Sequence, residues 1–284
     1  MPQNDAELVP NDFEASVSGA NFSDDLDKQH RAQPGTELPM QNRYVLPWAF
    51  LMVMTALANT PRVSAATFRV VTKIFVEPDL NPASEHLVLF DEGLVYDLPQ
   101  IESRFVTVYD PARKQVTLLD REEQVQTTVS TDDLVKVTAQ ARAAAMTPSQ
   151  REQLGLEARV ALSKRVVGYT IQFANMEYHT TTQTPSDPQM AADYAVFADL
   201  ASRLNLIRRV GPPPFGRMTL NQKIASEKAI PLETTLTLRR GEQKEDYRST
   251  HEIAELNKND LSKIKEVQGM LLLYRHVTLN QFPK

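Results

Sequence analysis

The side chains best suited to proton transfer or metal binding are four of the five histidines, His86, His179, His251 and His276, each isolated from the others in sequence. His251-Glu252, with Asp246 just upstream, is the densest titratable group. It is the kind of set a hydrolase could use if distant residues completed it. The same three residues on a strand also read as solvated neighbours, because no H-E-x-x-H spacing accompanies them. Asp132-Asp133 offers paired carboxylates. Yet Ser130-Thr131 ahead of them marks a helix start, where a hydroxyl cap and first-turn acids are favoured. Pro212-Pro213-Pro214 suits either polyproline docking or a stiff connector. Arg208-Arg209 fits the negative end of a helix dipole. There is no G-x-S-x-G elbow, no G-x-G-x-x-G and no phosphate-binding loop. Cysteine is absent, which excludes disulfides, thiolate ligands, a cysteine nucleophile and a lipobox. Glycine numbers 9 in 284 residues, so few positions could bring bare backbone to a phosphate. The sequence therefore predicts no catalytic residue, no metal and no cofactor.

The chain that must position these side chains is composite. Residues 1–39 carry eight acids against Lys28 and Arg31 and show no apolar period, which reads as a disordered acidic leader. At Met40 the character changes. Arg43 precedes an apolar run over 44–58, then a polar break and Val63-Ser64-Ala65, the pattern of a secretory signal peptide. The prediction is a signal peptide over 40–65, cleaved between Ala65 and Ala66, with translation starting at Met40. An uncleaved N-terminal membrane anchor is the alternative, although the run is short of the about 20 apolar residues a span needs. The overall charge of −5 comes largely from the leader, and residues 66–284 are nearly neutral. That balance excludes a nucleic-acid partner, which demands a basic face.

Residues 66–284 read as one α+β domain. Period-two apolarity predicts strands over 68–76, 86–90, 94–97, 104–109, 114–119 and 124–129, an antiparallel meander joined by short turns. Glu92-Gly93 after Asp91 suggests a three-residue bulged loop, and Asp110-Pro111 a second turn. A helix follows from Ser130 to about Thr147, with Leu134, Val137, Ala141 and Ala144 on one face, and a second runs over 149–161. Strands return over 166–173 and 176–182. Asp187-Pro188 opens a helix striped by Ala192, Val196, Leu200 and Leu204. A short helix over 220–228, a hairpin over 232–253 and a last helix capped by Asn259-Asp260 complete the order. The expected architecture is a twisted antiparallel sheet, or open half-barrel, with helices on one face.

The segment from Val106 to Leu119, VTVYDPARKQVTLL, resembles the strand-turn-strand signature of periplasmic lipoprotein carriers of the LolA type. Gly93-Leu94-Val95-Tyr96 is similar to a hairpin strand in that superfamily. The resemblance implies an unclosed barrel with helices as a lid over an apolar cavity. From it and the strand faces, Phe68, Ile74, Val108, Leu118, Ile171 and Phe173 are expected to line a cavity. The family's lid arginine has no assignable counterpart, so lipoprotein transport itself is not implied. The expected function is that of a non-enzymatic protein exported to the periplasm or cell envelope, binding lipid, acyl chains or a lipidated protein. A structural or adaptor protein with a solid core is the alternative.

Overall fold

In the computed structural model, residues 65–163, 168–208 and 211–283 are described. The leader over 1–39 and nearly all of the signal segment over 40–65 lie outside them. Twelve strands form one twisted, unclosed sheet. The first six are the predicted meander: β1 (Phe68–Val76), β2 (Ser84–Asp91), β3 (Leu94–Pro99), β4 (Phe105–Asp110), β5 (Gln115–Asp120) and β6 (Val125–Ser130). Then come α1 (Thr131–Ala144), α2 (Pro148–Gln153), β7 (Val160–Leu162), β8 (Tyr169–Phe173), β9 (Met176–Gln183), α3 (Pro188–Arg208) and α4 (Pro214–Ser226). β10 (Ile230–Arg240), β11 (Gln243–Ala254), α5 (Lys258–Leu273) and β12 (Arg275–His276) finish the chain. The spatial order is β12-β6-β5-β4-β3-β2-β1-β11-β10-β9-β8-β7, antiparallel throughout except where β12 joins β6. The C-terminal hairpin thus seats against β1 and unites the two halves of the chain in one sheet.

The turns follow from local chemistry. Asp91 pairs with Leu94, so the β2–β3 loop holds only Glu92 and Gly93, both at positive φ. It is a two-residue turn matched to the strand twist, rather than the bulged three-residue loop expected. The next two hairpins repeat one device. Asp110 accepts from the Arg113 N–H, and Asp120 accepts from the N–H groups of Glu122 and Glu123. In each the last loop residue, Lys114 or Gln124, takes the left-handed conformation. Asp120 is fully buried and also receives two hydrogen bonds from Arg104. Burial is the strongest influence on its carboxyl and pushes its pKa up. The bonds from Arg104, Glu123 and Glu122 together overcome it and hold the group below the ordinary value.

Both faces of the meander are covered. On one face Phe68, Val70, Val88, Phe90, Val95, Val116 and Leu118 pack against Leu134 of α1 and Met190, Tyr194, Phe197, Leu200 and Leu204 of α3. On the other, Leu87, Leu89, Tyr96, Leu98, Val106, Val108 and Leu119 pack against Ile264 and Val267 of α5. The expectation of helices on a single face is corrected here. Strand β2 carries the unbroken apolar run Leu87 to Phe90, and β4 is buried without a break from Val106 to Tyr109, because side chains on both faces meet helices. A third cluster joins Ile171, Phe173, Met176 and Tyr178 to Leu220 and Ile224 of α4.

Helix details also differ. The buried stripe of α3 runs through Met190, Ala191, Tyr194 and Phe197, while Ala192 and Val196 are exposed. Asn257, not Asn259, caps α5, in a reciprocal box with Asp260. α1 is capped by Ser130 as predicted, with Leu134 buried and Ala144 exposed. α4 begins inside the proline loop, with Pro214 at its first position. Among the described residues no helix is long and apolar enough to cross a membrane.

Candidate functional site

A band of polar side chains crosses the face covered by α1, α3 and α4, between otherwise apolar regions. Alternation along each strand places Asp97, His86, Thr72, His251, Ser249, Thr234 and Thr180 on that face. Each stands beside a neighbour two positions away in a helix-facing cluster, or pairs across the ladder with one that does. Thr72 lies opposite His86 on one side and His251 on the other. Ser249 lies opposite Thr234, and Thr234 opposite Thr180. The pairs are bonded: His86 Nδ1 is 2.7 Å from Asp97 Oδ1, and the Thr180 and Thr234 hydroxyls are 2.6 Å apart.

His251 is the hub. It is 5 % exposed, with its Nδ1 3.1 Å from the Thr72 hydroxyl and 3.1 Å from the Tyr194 hydroxyl of α3. Nε2 stands 3.5 Å from Ser249 Oγ. With Nδ1 as acceptor, either hydroxyl can donate to a neutral ring. Burial, and secondarily the positive charge of Arg217, depress its pKa to about 3, so the ring is neutral across ordinary pH. Burial likewise pushes the Tyr194 phenol up to about 12.

α4 supplies a cation to this seam. Arg217 Nε donates to Asn221 Oδ1 at 3.0 Å, and Asn221 Nδ2 donates to Asp199 Oδ1 at 3.1 Å. The guanidinium lies 5.8 Å from the Tyr178 ring centroid. None of the ion pairs among the described residues includes Arg217. Burial raises the pKa of Asp199 despite its bond from Asn221. The seam therefore presents hydroxyl groups, the neutral imidazole of His251, the His86–Asp97 pair and the half-buried Arg217, linked through Asn221 to Asp199.

Near the seam the sheet opens. Pairing of β10 with β11 ends at Glu233–Thr250, whereas β11 continues along β1 to Ala254. Around the register shift at Pro231–Glu233, the Gln183 side chain bridges the parting strands, donating to the carbonyls of Pro231 and His251. An open groove of about 500 Å³ lies here, lined by Thr181, Gln183, Leu232, Glu233, Thr250, His251, Glu252 and Ile253. By contrast the space between α3, α4 and Pro231 holds only about 10 Å³, room for one water at most.

The six expected cavity residues are not brought together. Phe68 and Leu118 lie in the cluster under α1 and α3, Val108 in the one under α5, and Ile171 and Phe173 in the one under α4. Ile74 is half-buried beyond the seam. His251 is not grouped with Glu252 and Asp246, because alternation turns those two to the other face, and its partners Tyr194 and Thr72 come from a distant helix and strand. The one sequence signal was Thr72, which breaks the apolar alternation of β1. Asp132 and Asp133 pair with Lys114 and Lys136 as first-turn acids. Pro213 and Pro214 are buried and unavailable for docking. The Arg208-Arg209 side chains lie outside the described residues. No protein-family model matches the sequence, and no curated protein matches it.

Proposed function

We propose that this chain is a non-enzymatic, exported carrier of acyl chains or lipidated partners in the cell envelope, a LolA-like half-barrel seen with its helices seated. The single supporting observation is the seam. Where the helix layer crosses the middle of the unclosed sheet, it meets it through the Tyr194 hydroxyl on His251 and through Arg217 over the Tyr178 ring, so a polar strip interrupts the apolar packing of α3 and α4. Polar contacts of this kind exchange for water at little net cost, about 0.5–1.5 kcal/mol each, so such a layer separates from the sheet more readily than a greasy one. Separation uncovers Phe68, Val70, Phe90 and Phe197 for an acyl chain. Arg217 suits an anionic head group. The purified protein should bind a fluorescent fatty acid saturably and release it to palmitate. Failure to bind, at concentrations where a lipid-binding control saturates, rejects the carrier.

A second reading has its own observation. Leu272 and Leu273, at the end of α5, are 86 % and 84 % exposed, and the space between α3, α4 and Pro231 holds only about 10 Å³. Both suit an envelope adaptor that docks a protein through its surface. Co-purification of a protein partner with no lipid would favour it.

A further inference from the structure

We infer that Asp193 is the receptor for a new α-amino group created by cleavage between Ala65 and Ala66. This rests on the export reading, which placed the cut there from sequence alone. The structure adds an independent coincidence. The Ala66 backbone nitrogen donates to Asp193 Oδ2 at 2.9 Å, and Ala66 is 8 % exposed. The other carboxylate oxygen, Oδ1, is fixed by Gln189 Nε2 at 2.7 Å, one helical turn earlier on α3. A carboxylate held by a neighbour and already accepting from this backbone nitrogen is placed to pair with an ammonium formed there.

The covalent step is peptide hydrolysis by an export peptidase, with water as co-reactant. The C–N bond between Ala65 and Ala66 breaks, and water gives its hydroxyl to the Ala65 carbonyl carbon. The Ala66 nitrogen gains the hydrogen and, at neutral pH, one more proton from solvent. No oxidant or cofactor is involved. The cut precedes folding, so the burial of Ala66 in the finished fold is no obstacle. What was a neutral N–H···carboxylate bond becomes an ammonium–carboxylate pair. That pair ties the start of β1 to α3, the helix that also carries Tyr194 to His251. Processing then does more than release the chain: it strengthens the seat of the helix layer.

The test uses the full chain expressed with its leader and exported. N-terminal sequencing should begin Ala-Thr-Phe. Limited acetylation at neutral pH, read by peptide mass spectrometry, should then modify the Ala66 amine at least about tenfold more slowly in the folded protein than after urea unfolding. Exposed Lys228 and Lys258 serve as internal references. An ion pair that raises an amine's pKa by one unit cuts its reactive fraction about tenfold. Asp193→Asn should restore fast labelling. An N-terminus elsewhere overturns both the placement of the cut and the receptor. A chain starting at Ala66 whose amine labels equally fast folded and unfolded overturns the receptor alone, even if Asp193→Asn does not fold.

Discussion

At the residue scale, His251 and Arg217 carry the account, and each makes a separate prediction. The pKa of His251 is about 3 in the folded chain, against 6.5 for the free side chain. Between those values the unfolded state binds a proton that the folded state refuses. Stability contributed by the neutral ring is therefore complete above pH 6.5 and declines as pH falls toward 3, by up to about 1.4 kcal/mol per pH unit. Urea midpoints taken from pH 7 down to pH 5, above the main carboxylate range, should fall in the wild type and stay nearly flat in His251→Gln. Equal slopes would remove His251 as the hub. Arg217 makes the second prediction. Arg217→Gln should keep binding of an uncharged acyl ester and lose any preference for the free fatty acid, as read by competition with the fluorescent probe. In sequence His251 stands out by its type and by its acidic neighbours Glu252 and Asp246. Its partner Tyr194 lies 57 residues away on a helix, and strand alternation separates it from its acidic neighbours. Nothing local could have revealed that grouping.

At the element scale, the meander was legible because turn chemistry and period-two patterning agree there. The faces of the helices were not. A strand such as β2, apolar on both sides, gives no sign of which helix meets which side, so the placement of α5 on the far face could not be read. The unbroken run itself signals two covers, without saying which helices supply them. α4 shows how scarce glycine is spent. A methyl built at Gly216 would stand 2.1 Å from the Phe173 ring, and one at Gly155, where φ is +69°, 2.8 Å from it. Phe173 is thus clamped between two bare backbones, locking α4 and the α2–β7 connection against β8. Phe173→Ala should cost about 3–5 kcal/mol through the cavity it leaves. Gly216→Ala should also destabilise, and the double variant should cost clearly less than the sum, because removing the ring makes room for the methyl. Additive losses in chemical denaturation would show that the ring is not the obstacle.

At the scale of the whole molecule, the α+β class and the large, mostly antiparallel, unclosed sheet follow from the sequence. The paired helix covers and the polar seam emerge only once the C-terminal hairpin seats beside β1. The order of pairing, with β11 joined to the first strand, is set by contacts across the full length of the chain and leaves no local trace. The carrier proposal stands on this seam, a polar strip that interrupts the apolar contact between the helices and the sheet. The most direct measurement is gentle purification of the exported protein from its own envelope fraction, followed by native mass spectrometry and solvent extraction for lipid analysis. The account predicts a fraction of molecules heavier by one acyl-bearing ligand, lost on extraction and rich in anionic single-chain lipids. A homogeneous, lipid-free protein that also takes up no palmitate when offered it would contradict the carrier and leave the solid-core adaptor.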